Sequence, residues 1–126
     1  MRLLLDTATF IHAIDAPGRL SRRASSILRN PNNLLELSAV SISEIAIKAG
    51  LGKLRFSADV LRQAVADLDL RILPYTCEHA FSLFALSRHH HDPFDRQILA
   101  QALHEQIPIV TPDEIFRLYR EVKVIW

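Results

Sequence analysis

Four acidic residues carry the chemistry that this sequence can offer: Asp6, Glu44, Asp95 and Asp113. They are far apart along the chain, yet they share one kind of position. Asp6 closes the apolar run Leu3-Leu4-Leu5. Glu44 follows the stretch Leu34 to Val40, in what reads as the first turn of the next helix. Asp113 lies just past Ile109-Val110-Thr111, and Asp95 sits in the first turn of a helix opened by Asp92-Pro93. In an open parallel sheet, ligands bind outside the carboxyl ends of the strands, so such a sheet can gather these acids at one edge. Gathered carboxylates repel and cannot all stay ionised without compensation. An oxygen-only ligand set suits Mg²⁺ or Mn²⁺ rather than zinc. A bound hard cation activates water and stabilises charge on a phosphodiester, which is nuclease chemistry. The sequence leaves open whether one ion or two would bind.

Each acid also has a plainer reading. Glu44 has Ser-x-x-Glu spacing from Ser41, the mark of a capping box. Asp92 is a good N-cap and Pro93 fits the first helical position, so capping accounts for Asp92 fully. Asp113 begins the last helix. First-turn acids of this kind contribute about 0.3–1 kcal/mol each through the helix dipole. Asp6 is the exception, because an acid ending an apolar strand shows no evident capping need. Taken singly, the other acids read as structural; taken together, the four favour a metal site.

The elements that must position them follow from periodicity. Arg2 to Leu5 reads as a short buried strand. A helix runs through Phe10, Ile11 and Ile14 and is broken by Pro17-Gly18. Leu20 to Leu28 reads as a second helix with a basic face of Arg22, Arg23 and Arg29 nearby. Leu34 to Val40 reads as the second strand, interrupted by Glu36. A helix begins at Ser41 and ends at Gly50 and Gly52. Ser57 caps a further helix with Val60, Leu61, Ala64, Val65 and Leu68 at core-facing spacing. Leu70 to Leu73 is a third strand, and Thr76 starts a helix carrying Ala80, Phe81, Phe84 and Ala85. After the helix at Pro93, Ile107 to Thr111 and Val122 to Ile125 read as the last strands, flanking a short helix. Strands alternating with helices imply βαβ units, hence a mostly parallel sheet covered on both faces.

The chain has 126 residues, the size of one ordinary domain, with 49% hydrophobic and 23% charged residues, a globular composition. One cysteine, Cys77, excludes an internal disulfide or a cysteine-based zinc cage and points to a cytosolic setting. The opening apolar run is only three residues long, too short for a signal peptide or membrane span. Residues 1–63 hold nine Lys/Arg against five acids, a net +4; residues 64–126 hold six against nine, a net −3. That asymmetry permits an anionic partner along one side, and equally a mixed solvated surface.

Several other residues carry two readings. Lys48, four residues after Glu44, is an i,i+4 ion pair or a phosphate contact. Arg96 is a surface partner or an RNA contact. The His89-His90-His91 run reads as a polar turn, with His91 left as a possible phosphate contact. Arg22, Arg23 and Arg29 read as a solvated face. Cys77, Phe10, Phe81 and Phe84 read as packed residues.

At four places the sequence resembles the PIN domain. Leu3-Leu4-Leu5-Asp6-Thr7 is similar to its opening. Val40-Ser41-Ile42-Ser43-Glu44-Ile45-Ala46-Ile47-Lys48, running into Gly52-Lys53-Leu54, is similar to its second motif in VapC-type toxins. Asp92-Pro93-Phe94-Asp95-Arg96 with Ala100-Gln101-Ala102 resembles the third, and Ile109-Val110-Thr111-Pro112-Asp113, ending in Val124-Ile125-Trp126, the fourth. The resemblance implies a three-layer α/β/α fold with residues 1–126 forming a single PIN-like nuclease domain. It implies a Mg²⁺- or Mn²⁺-dependent endoribonuclease, the toxin of a toxin–antitoxin pair. Carried over by position, Asp6, Glu44, Asp95 and Asp113 would bind metal, with Asp92 a cap or outer group. Thr7 and Thr111 would orient carboxylates or water. The resemblance also implies a homodimer, blocked by a small antitoxin inserting a segment into the acidic groove. One departure bears on the groove's shape: Ala8 and His12 stand near where such toxins often carry His and Trp.

Two other classes fit the sequence less well. A phosphoacceptor receiver domain needs an acidic pair after the first strand and a Lys after the last; only Asp6 is present. A PIN scaffold without turnover, binding RNA or a partner, remains the alternative to the enzyme. Dinucleotide binding has no support, because Thr7-Ala8-Thr9 replaces a Gly-rich turn.

Overall fold

The computed structural model describes residues 1–126. Strands β1 (Arg2–Leu5), β2 (Leu34–Ser38), β3 (Arg71–Leu73), β4 (Ile109–Val110) and β5 (Val124–Ile125) alternate with helices α1 (Thr7–Asp15), α2 (Arg22–Arg29), α3 (Ala39–Gly50), α4 (Ala58–Asp67), α5 (Cys77–Ser82) and α6 (Pro93–Glu105). All strand pairings are parallel, in the order β3-β2-β1-β4-β5. This is the α/β/α arrangement expected from the alternation of elements.

Side chains alternate across a strand, so β1 feeds two cores. Leu3 and Leu5 join Leu35, Leu37 and Val110 under Phe10 of α1, Ala24 of α2 and Leu61 and Ala64 of α4. Leu4 and Ile109 join Ile98, Leu99 and Ala102 of α6, with Phe116 and Tyr119, on the opposite face. α3 closes the edge between the layers, with Ile45 in one core and Val40 in the other.

Successive strands leave β1 on both sides, β2 and then β3 one way, β4 and then β5 the other. The strand order therefore reverses between β1 and β4. Leu5 pairs with both Leu37 and Val110, so the chain leaves β1, β2 and β4 at one level. A crevice opens at such a reversal, at the carboxyl ends.

Several boundaries differ from the sequence reading. β2 stops at Ser38, which caps α3 by accepting the Val40 N–H at 2.9 Å. Helix α3 thus starts earlier than Ser41, and the expected Ser41–Glu44 capping box does not form. α2 starts at Arg22 behind a Ser21 cap rather than at Leu20. The last strands shrink to two residues each, and the final helix is a 3-10 turn, Glu114–Leu118. Val60, Phe81 and Phe84 are exposed, not core. Phe81 lies near the end of the helix, which stops at Ser82, and Phe84 lies in the 3-10 turn that follows.

Candidate active site

Asp6 leaves β1 and enters α1 with no intervening loop, so the residue that ends the strand also caps the helix. Its Oδ1 accepts the Thr9 N–H at 2.8 Å. This corrects the reading that Asp6 has no capping role. Its Oδ2 accepts the Thr111 hydroxyl at 2.5 Å, tying the end of β1 to the end of β4. The side chain is 2% exposed, and burial pushes its pKa up to about 6, against the opposing pull of the Thr111 and Thr9 hydrogen bonds. The Asp113 charge adds to the rise.

Glu44 falls in the second turn of α3, because the helix begins at Ala39. It is 4% exposed. Lys48 donates to its Oε2 at 2.5 Å, the i,i+4 pairing expected from the spacing. Its Oε1 is buried with no hydrogen-bond partner. A buried, unpaired carboxylate oxygen is costly, so its persistence calls for a ligand or another explanation.

Asp92 caps α6, its Oδ1 accepting the N–H groups of Phe94 at 2.8 Å and Asp95 at 3.1 Å. The cap fixes where α6 begins and aims Asp95 toward the crevice. Burial, followed by the neighbouring Asp92 charge, pushes the Asp95 pKa up to about 7; Glu44 and Asp6 add to the rise and His90 opposes it. Asp113 splits its oxygens. Oδ1 accepts the Ile115 N–H at 2.9 Å, and its own N–H donates to Thr111 Oγ1 at 3.0 Å. Asp95 thus feels the charges of Glu44 and Asp6, and Asp6 that of Asp113.

His90 is the site residue that the sequence reading missed. Its Nδ1 accepts the Asp92 N–H at 3.2 Å, which places the ring hydrogen on Nε2. Nε2 then lies 2.8 Å from Asp113 Oδ2 and 3.2 Å from Asp95 Oδ2. The loop is held because the Tyr119 hydroxyl accepts the N–H groups of His89 and His90. Arg96 braces it from below, donating to the Ser87 carbonyl at 2.9 Å and the His90 carbonyl at 3.4 Å. His90 is therefore a donor bridging two acids, and Arg96 a brace for the loop carrying it. Thr7 lies apart from the carboxylates, donating to Ser41 Oγ at 2.9 Å.

The donor set fits a hard divalent cation. The four acids supply oxygen donors, one buried oxygen has no partner, and two of the carboxyls resist ionisation when no cation is present; Asp95 and Asp113 lie with His90 Nε2 in one group close enough to hold an ion. A second cluster, His79, His104 and Glu105, lies away from the crevice and fits a metal poorly. His79 Nδ1 already accepts the Thr76 N–H at 3.0 Å, so its Nε2 carries the hydrogen and faces Glu105 at 3.1 Å.

A five-stranded parallel sheet between helical layers, with acids near its reversal point, is a PIN-like fold. The chain belongs to the PIN domain family, whose model matches residues 3–122. No curated protein matches the chain. Among solved structures, it is similar to VapBC2 from Rickettsia felis, bound to a DNA fragment from their promoter (TM-score 0.74, 17% identity, 99% of this chain and 98% of that one). It is also similar to DNA-bound VapBC from Salmonella typhimurium (TM-score 0.73, 20% identity, 99% and 97%). A third is VapBC-5 from Mycobacterium tuberculosis, a member of the VapBC family of toxin–antitoxin systems (TM-score 0.62, 20% identity, 98% and 97%). These likenesses establish the fold. No helix is long and apolar enough to cross a membrane.

Proposed function

We propose that the chain is a Mg²⁺- or Mn²⁺-dependent endoribonuclease, the VapC-type toxin of a toxin–antitoxin pair, with residues 1–126 acting as one nuclease domain. The observation that supports this reading is the charge coupling of Asp95 to Glu44 and Asp6, and of Asp6 to Asp113, beside a buried Glu44 oxygen that lacks a partner. Kinship with VapBC structures supports an antitoxin as partner, and a homodimer belongs to the same reading.

In this reading Asp6, Glu44, Asp95 and Asp113 hold the cation. When bound, it supplies a Lewis acid to water and to the phosphodiester of RNA. The chain's own groups do the positioning. Thr111 fixes Asp6, Lys48 occupies one oxygen of Glu44 and leaves the other free, and His90 holds Asp113 beside Asp95.

Purified, antitoxin-free protein is incubated with RNA and Mg²⁺, beside Asp6→Asn and Asp95→Asn variants. The wild type cleaves and the variants lose at least about a hundred-fold in rate, as for loss of a group acting on the transition state. Equal cleavage by all three sinks the assignment. Calorimetry with Mn²⁺ separates the alternative: a chain that binds no cation is a PIN scaffold without turnover.

A further inference from the structure

Two cavities adjoin beside the acidic crevice, on the α5–α6 side. One, of about 210 Å³, is lined by Arg88, His90, His91 and Arg96, with no acid and no apolar side chain. The other, of about 380 Å³, is bounded by Leu83, Phe84 and Leu86 and again by Arg88 and Arg96. The two shared arginines make them one groove. His90 joins that groove to the acids, because its Nε2 faces Asp113 and Asp95.

Arg88 forms no ion pair or hydrogen bond within the chain, so a permanently charged guanidinium is left for a ligand. Arg96 is held in place by loop carbonyls and cannot swing away without breaking them. Phe84 is 90% exposed and stacks at 6.4 Å on Phe81, itself 60% exposed. Neither ring contributes to the core. A cationic groove with an exposed aromatic platform is the arrangement that takes single-stranded nucleic acid: arginines track the backbone, and a base stacks on the ring without regard to its identity. A protein partner covering the two rings would leave unexplained the acid-free cationic pocket that includes His90.

We propose that this groove is the track for the RNA strand. A phosphate next to the scissile one lodges among Arg88, His91 and Arg96, and a base beyond it stacks on Phe84. This assignment rests on the nuclease reading and adds to it where the strand runs.

The test is fluorescence anisotropy in EDTA with a labelled single-stranded RNA decamer and a blunt duplex of the same sequence. Phe84→Ala lowers single-strand affinity about ten-fold or more and spares the duplex, whose bases cannot unstack onto the ring. Phe84→Trp keeps wild-type affinity. Arg88→Ala reduces the salt slope by about 0.7, the loss of one phosphate contact on a single strand. Unchanged single-strand affinity in both Phe84→Ala and Arg88→Ala overturns the proposal. If Phe84→Ala also turns a dimer into a monomer in sedimentation velocity, the patch belongs to a second copy. Cleavage by the wild type with variants that bind normally removes the groove alone. No cleavage by the wild type, with variants that lose RNA, removes the nuclease reading and leaves the groove.

Discussion

Residue by residue, the acids at the crevice do two jobs at once, one with each oxygen. Asp6 and Asp113 each cap a helical turn with Oδ1 and take a second partner with Oδ2, the Thr111 hydroxyl for Asp6 and His90 Nε2 for Asp113. The structural and chemical readings of an acid at a strand end therefore do not compete. Asp92 and Asp95 divide the jobs between two side chains, and this predicts different outcomes for similar substitutions. Asp92→Asn keeps an N-cap acceptor and leaves stability within about 0.5 kcal/mol, whereas Asp92→Ala costs about 1 kcal/mol. Asp95→Asn retains the fold and loses Mn²⁺ binding. Thermal unfolding and calorimetry on the three variants check this. A loss of Mn²⁺ binding in Asp92→Asn equal to that in Asp95→Asn would show that the division is wrong. Asp6 and Asp113 stand out in the sequence because they follow the apolar runs of β1 and β4, and Asp95 because Asp92-Pro93 marks the start of its helix. His90 does not, since its role depends on the Asp92 N–H fixing a ring orientation that no local pattern records.

Among the elements, α6 matters most, because it carries Asp95 at one end and is pinned beneath the sheet at its middle. Gln101 is fully buried, and its Oε1 pairs with the Ser38 hydroxyl while its Nε2 donates to the Pro74 carbonyl at 3.1 Å. Ser38 also caps α3, so one hydroxyl links the helix of Glu44 to the helix of Asp95. Ser38→Ala strands the Val40 N–H and the Gln101 oxygen in the interior and is expected to cost about 2–3 kcal/mol. Denaturant unfolding measures it; a cost under about 0.5 kcal/mol would mean that the link is slack. The sequence made the existence and order of these elements plain, through runs such as Leu3-Leu4-Leu5 and caps such as Ser57, Thr76 and Asp92-Pro93. Boundaries were harder where strand and helix join directly, as at Ser38–Ala39. There the apolar pattern runs on across the junction and only the cap marks the change.

Across the whole molecule, charge is buried at both ends of β1 and α6, with opposite consequences for pH. At the amino end Arg2 donates to the fully buried Glu36 at 2.7 Å and to Glu105 at 2.8 Å, while Glu105 also faces His79. The Arg2 and His79 hydrogen bonds hold the Glu105 pKa below its ordinary value. A group depressed in this way stabilises the fold above its unfolded pKa, and that contribution fades as pH falls through the carboxylate range. At the carboxyl end Asp6 and Asp95 are raised, to about 6 and about 7. The native state there binds more protons than the unfolded chain, so stability falls as pH rises from about 4 to about 7. Taken together, these groups contribute most to metal-free stability near pH 4 and progressively less toward pH 7. A divalent cation binds the ionised carboxylates and competes with those protons, so its stabilising effect grows with pH. Melting temperatures from pH 4 to 8, with and without Mn²⁺, test both arms. Metal-free stability that climbs steadily to pH 8 would contradict the buried acids at the crevice. Asp95→Asn removes one ionisation that the fold opposes, so without metal it melts above the wild type at pH 8 and close to it at pH 4. Its response to Mn²⁺ is lost at both.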